Sequence, residues 1–112
     1  VNKGFLNAVY TAGEAAHIEQ AHAGDVRAAG IWAAKEAVVK AFGVGFSEGV
    51  TFRDVEVRYT ATGQPQAVLS GKLASLAVDR SLQVLSISIS HTENYAAATA
   101  LVGPVSAEVR PV

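Results

Sequence analysis

Glu36 and Lys40 stand one helical turn apart, with Trp32 one turn before them. The i, i+4, i+8 spacing puts all three roughly along one side of a helix. Gly43 and Gly45 follow at once, able to stop the helix and bring backbone close to a ligand. A hard carboxylate oxygen, an ammonium and free backbone N–H groups are what a Mg²⁺–phosphate site requires. The same spacing also describes a surface ion pair worth about 0.3–0.5 kcal/mol. Spacing alone leaves both readings open.

A second polar group lies near the C-terminus. Ser86, Ser88 and Ser90 alternate along one predicted strand face, and His91 follows at its end. Hydroxyls and an imidazole in a row can line a groove for phosphate, or simply form the wet face of a half-exposed strand. A Ser/His/Asp triad has little support, because no glycine elbow accompanies any of the serines. His17 and His22 are five apart, a poor spacing for one shared metal ion. Glu14 and His17, at i, i+3, could share a face.

These residues need elements to carry them. Phe5–Tyr10 is apolar, and Thr11 with Glu14 forms a capping box for a helix over about Ala12–Ala23, stopped by Gly24. Asp25 can cap a second helix, Val26–Phe42, whose tight-packing side is Ala34, Ala37, Val38 and Ala41. Gly30 inside it marks close packing or a break. A strand signal runs over Val50–Tyr59, with a slip in alternation that moves its start towards Asp54 or introduces a bulge. Thr60–Pro65 is a turn, and Gln66–Leu69 the returning strand. A short helix over Lys72–Val78, a strand over Leu82–Ser90 and a final strand over Tyr95–Val102, apolar enough for burial on both faces, complete the pattern. Gly103–Val112 reads as a loose tail. The order predicts an α+β fold with a mainly antiparallel sheet packed with helices, in a single domain over 1–112.

Composition narrows the class. The sequence has 112 residues, half of them hydrophobic, and a net charge of −1. That suffices for one core and offers no global attraction for nucleic acid or an anionic membrane. No apolar run reaches the ~18 residues of a bilayer span, and no secretory signal is visible. The sequence contains no cysteine, which fits a reducing, cytoplasmic setting.

Together the pieces resemble the holo-acyl-carrier-protein synthase type of 4′-phosphopantetheinyl transferase. The resemblance runs from about Phe5 to Val102. Its most specific part is Trp32-Ala33-Ala34-Lys35-Glu36-Ala37 with Lys40-Ala41-Phe42-Gly43-Val44-Gly45, similar to the family's W/F-A-x-K-E-A-x-x-K-A-x-G-x-G signature. Asp54-Val55-Glu56-Val57, Gly63-Gln64-Pro65, Ser88-Ile89-Ser90-His91-Thr92 and Phe5–Thr11 with Glu14 match in the same order.

The resemblance implies transfer of 4′-phosphopantetheine from coenzyme A to a serine of an acyl carrier protein, releasing adenosine 3′,5′-bisphosphate. It implies Glu36 as a Mg²⁺ ligand and Lys40 with the Gly43 turn at the diphosphate. Lys35 would belong to the same phosphate-rich site. Ser90 and His91 would lie near the nucleotide end, and Gly63 to Pro65 beside the adenine. Family members of this length form trimers with the site between subunits. The family's other Mg²⁺ ligand is an aspartate ahead of the Phe5 segment, and Val1–Gly4 holds no acid. The expectation is therefore an N-terminal strand upstream of Val1. Gly4 and Ile31 stand where the family often carries arginine, leaving Lys3 as the basic residue near the first. Two alternatives belong to other classes. One is a degenerate, non-catalytic module that holds coenzyme A or a carrier protein. The other is a nucleic-acid-binding domain, which the neutral charge and the lack of a basic, aromatic-studded strand oppose.

Overall fold

A computed structural model describes residues 3–105. Three helices come first: α1 (Lys3–Val9), α2 (Ala12–Gln20) and α3 (Gly24–Ala41). An antiparallel hairpin follows, β1 (Val55–Tyr59) with β2 (Pro65–Leu69). Helix α4 (Gly71–Arg80) leads into a second hairpin, β3 (Leu82–His91) with β4 (Ala96–Pro104). The architecture is α+β, with two two-stranded antiparallel sheets where the sequence predicts one mainly antiparallel sheet.

Helix α2 starts at the predicted capping box. The Glu14 N–H donates to Thr11 Oγ1 at 3.2 Å, and the Thr11 N–H donates to Glu14 Oε1 at 2.9 Å. The helix ends at Gln20, short of the expected Ala23, and Gly24 opens α3 rather than closing α2. Asp25 makes no capping bond and lies in the first turn of α3. There its negative charge suits the positive end of the helix dipole. At the other end Phe42 is the C-cap, Gly43 takes φ +71°, and its N–H donates to Lys40 O at 2.9 Å. A left-handed residue after the last turn satisfies an orphan carbonyl, and glycine takes that conformation without strain.

The slip in the first strand signal is a 3₁₀ turn over Phe52–Asp54, so β1 begins only at Val55. Asp54 organises this corner. It accepts from Thr51 Oγ1 at 3.0 Å and from the Leu73 N–H of α4 at 3.2 Å. Gly71, at φ +57°, leaves room for that carboxylate; a Cβ there would stand 2.7 Å from Asp54 Oδ1. The change of phase in β3, from Val84 to Ile87, is a bulge between Val84 and Ser86.

The buried residues form one cluster that includes Val9, Ile31, Val38, Phe42, Val55, Leu73 and Ile87. Helix α3 carries the centre of it and packs on both hairpins. Its buried side is Gly30, Ile31, Ala34, Lys35, Val38 and Val39. Ala41 is exposed, so the packing face is turned from the one expected, and it includes a lysine. At Gly30 the helix backbone comes so near β3 that a Cβ would stand 2.9 Å from Ile89 Cγ2. The expected burial of the last strand on both faces does not hold. β4 alternates, with Ala97, Thr99 and Leu101 exposed. Gly103 and Pro104 belong to β4 rather than to a tail, and the rest of the expected tail, from 106 on, lies outside the described residues.

Candidate functional site

Helix α3 presents chemistry on two sides. On one side Glu36 and Lys40 pair at 3.8 Å, with side chains 35% and 76% exposed. Trp32 sits on the same side, 37% exposed, with its ring 6.2 Å from Phe52. Gly43 follows at the helix end, with nothing within 4 Å of a Cβ built there. A carboxylate and a mobile ammonium therefore face solvent beside an open turn. The Gly43 N–H itself closes the helix, so the turn can offer this residue's close approach but not its N–H.

Lys35 departs from the expected phosphate site. Its side chain is fully buried, and Nζ donates to Glu14 Oε1 at 2.6 Å and to the Val55 carbonyl. Glu14 Oε2 accepts from the Val57 N–H at 2.6 Å. One residue, about 100° around α3 from Glu36, is enough to put the lysine in the core, where it ties α2, α3 and β1 together. Burial pushes the Lys35 pKa down while the Glu14 carboxylate opposes that shift. That burial sets Lys35 in the core, away from the solvent-open side that carries Glu36 and Lys40. Glu56 sits at the edge of the same network, accepting from Thr11 Oγ1 and from Arg58, and those bonds hold its pKa below the ordinary value.

On its other side α3 lines a cleft of about 330 Å³. Gly63, Pro65 and His91, three residues singled out from the sequence, meet there although they come from two different hairpins. Ser88 and Ser90 lie on the exposed face of β3, and Ser90 pairs with Ala97 next to His91. Gly63 takes φ +85° to turn the β1–β2 hairpin. Sequence reasoning did not assign Arg27 and Tyr59 to a site and gave His22 no role, yet all three line the cleft. The signal for Arg27 was its place one turn before Gly30, where a small residue lets β3 come close. His17 does not join His22 around a metal; its ring stacks on Tyr59 at 4.4 Å and 8°. Among the described residues no three histidine, cysteine or acidic side chains gather as a metal cluster.

The two sides are well apart within one chain. Arg27 and Glu36 are nine residues apart, about 13 Å along the axis and half a turn around it. A ligand that touches both needs length, or a second copy of the chain.

The sequence matches the 4′-phosphopantetheinyl transferase superfamily over residues 1–100. The chain belongs to that superfamily. Among curated phosphopantetheinyl transferases, the holo-[acyl-carrier-protein] synthase of Verminephrobacter eiseniae (strain EF01-2) is 99% identical over 111 residues, covering 99% of this chain and 85% of the relative. That of Gloeobacter violaceus (strain ATCC 29082 / PCC 7421) is 46% identical over 100 residues, covering 87% and 74%. The fold agrees with solved transferases of the same kind. The Helicobacter pylori holo-[acyl-carrier-protein] synthase in complex with coenzyme A aligns at TM-score 0.76 and 28% identity, covering 89% of this chain and 82% of that one. The Neisseria meningitidis enzyme aligns at 0.80 and 26%, covering 91% and 82%.

Proposed function

We propose that the protein moves the 4′-phosphopantetheine group of coenzyme A onto a serine of an acyl carrier protein, leaving adenosine 3′,5′-bisphosphate. The observation that carries the reading is a superfamily match in which Glu36 and Lys40 of the most specific motif stand on the solvent-open side of α3. The serine oxygen bonds to the phosphorus that bears pantetheine. The bond from that phosphorus to the bridging oxygen breaks, and the bridging oxygen leaves with the nucleotide. Such a transfer asks the protein mainly for positioning and charge neutralisation.

Lys40 supplies a mobile positive charge for phosphate oxygens. Glu36 supplies a hard oxygen ligand, and it is a candidate to accept the serine proton. Mg²⁺ is held by one or two carboxylates and otherwise by waters and phosphate oxygens, so the accessible Glu36 carboxylate suits it, while Lys40 serves the phosphate oxygens. When bound there, the ion would neutralise the diphosphate and favour departure of the leaving group. The cleft between Gly63, Pro65 and His91 suits the nucleotide end, with Ser90 at its margin.

The chain works as one domain in a homotrimer, with Glu36, Lys40 and Gly43 of one copy facing the cleft of the next. The separation of the two sides on α3 supports this arrangement. Its partners are an acyl carrier protein and coenzyme A, its setting is the cytoplasm, and its product feeds fatty-acid synthesis. Among the described residues no helix is long and apolar enough to cross a membrane.

The test is the intact mass of an apo acyl carrier protein after incubation with the protein, coenzyme A and Mg²⁺, with and without EDTA. A gain of one phosphopantetheine, abolished by EDTA, is the expected result. No gain with the full-length protein favours the non-catalytic binding module.

A further inference from the structure

We propose that Arg80, at the end of α4, is a positioning residue: it holds and neutralises the C-terminal end of α3, and so readies Lys40 and the Gly43 turn for the diphosphate of the donor. The inference deepens the transferase reading and rests on it.

The diphosphate is assigned to an end of the helix that opposes it. Lys40 lies in the last turn of α3, and Gly43 follows the C-cap Phe42. The last carbonyls of a helix lack intrahelical partners, and that end carries partial negative charge. It repels an anion unless its carbonyls are answered. Two of them are answered by the backbone. Val38 O accepts from the Phe42 N–H at 3.2 Å, and Lys40 O accepts from the Gly43 N–H at 2.9 Å. The Phe42 carbonyl is answered by a side chain. Arg80 Nη1 donates to it at 3.1 Å, across 38 residues of sequence.

That bond acts on the turn itself. The Phe42 carbonyl and the Gly43 N–H belong to one peptide unit, so both of its polar groups are held, one by α4 and one by α3. Gly43 has φ +71° and open space where a Cβ would stand. A glycine in open space has many conformations to lose, and a turn ordered beforehand loses fewer when a ligand arrives. The bond also brings a full positive charge to the negative end of the helix. Among the described residues the Arg80 guanidinium forms no ion pair, so no carboxylate cancels that charge.

The base of the arginine is fixed as well. Helix α4 ends on Ser81 at φ +53°, the one left-handed residue other than glycine among the described residues. Its N–H donates to Val78 O at 3.1 Å, and its carbonyl accepts from the Val105 N–H at 2.7 Å. The turn that carries Arg80 is thus tied to the chain just beyond β4. Lys40 is tied only to Glu36, through an exposed pair at 3.8 Å. Arg80 supplies the order that this pair does not.

The experiment measures KM for coenzyme A and KM for the apo acyl carrier protein, using the full-length protein in its native assembly. Wild type, Arg80→Gln and Arg80→Lys are compared, with thermal melts as the folding control. Separately, binding of inorganic pyrophosphate in the presence of Mg²⁺ is measured by calorimetry. The expected result for Arg80→Gln is a KM for coenzyme A raised roughly fivefold, the scale of one charge at a helix end. Its KM for the carrier protein stays at the wild-type value, and Arg80→Lys, which keeps the charge, recovers most of the loss. An unchanged KM for coenzyme A in Arg80→Gln overturns the proposal. So does an equal rise for both substrates, which marks general loosening of the fold. If the wild type transfers nothing from coenzyme A, the transferase reading fails and the calorimetry decides alone. Pyrophosphate binding that weakens in Arg80→Gln and returns in Arg80→Lys supports the role of Arg80. Binding that is equal in wild type and Arg80→Gln, or absent from the wild type, overturns it. Should Arg80→Gln misfold, Arg80→Met takes its place in both measurements.

Discussion

Neighbouring residues of one motif end in opposite environments. Lys35 is buried against Glu14, and Glu36 faces solvent beside Lys40. The helix turns about 100° per residue, so consecutive positions cannot share a role. The consequences of substitution differ accordingly. Lys35→Met leaves the Glu14 carboxylate buried without its ammonium, a change that costs about 3–5 kcal/mol. Urea unfolding should show that loss, and adding Glu14→Gln should recover part of it. Glu36→Ala should leave the melting temperature nearly unchanged, since an exposed i, i+4 pair contributes little. The same substitution should nearly abolish transfer in the mass assay. Retained transfer would sink the metal-ligand assignment. The position proposed as metal ligand comes from the motif, which names Glu36, and the structure leaves that side chain on the solvent-open side of α3. The fate of Lys35 was not legible in the sequence, because its partners come from α2 and β1, 20 or more residues away.

Among the elements, two contacts set how the helices meet the strands. Gly30 allows β3 to come within a methyl's reach, and an added Cβ would meet Ile89 Cγ2 at 2.9 Å. Gly30→Ala should gain helix propensity yet lose stability, by about 1–3 kcal/mol, because the core must shift to admit it. A lower urea midpoint is the check, with weaker nucleotide binding as the sign that the cleft has moved. The second contact is Glu56 on β1, which accepts from Thr11 at the start of α2. Its pKa is lowered in the fold by the Thr11 bond first and the Arg58 bond second, from an ordinary 4.5. A depressed carboxylate contributes stability that is complete above its unfolded pKa and is lost as pH falls through the folded value. Melting temperature should therefore drop as the solution is acidified below about pH 4.5, and Glu56→Gln should flatten part of that drop. Capping box, hairpin turn and the irregularity before β1 were visible as local patterns, whereas the bulge in β3 was not read from the sequence. The helix ends around Gly24 were missed, because α2 stops without a glycine and α3 starts without a side-chain cap.

At the scale of the molecule, the face of the second hairpin stays uncovered in a single chain. Ser86, Ser88, Thr99 and Leu101 are exposed on it, and Tyr95 near the hairpin tip is 78% exposed. The two sides of α3 also point away from each other. If the site lies between copies, a Glu36→Ala chain and a His91→Ala chain should complement one another. Coexpressed, they should regain a fraction of wild-type transfer in mixed assemblies, while each alone stays low. No recovery would place the whole site within one chain. By itself the sequence determined the α+β order, the helix that carries Glu36 and Lys40, and the family, because these rest on residues close together in the chain. Only the tertiary structure decided that Lys35 belongs to the core and that Arg27, Tyr59, Pro65 and His91 share a cleft. Burial and charge environment depend on which distant elements pack together, and that packing sums many small contacts that no short stretch of sequence contains.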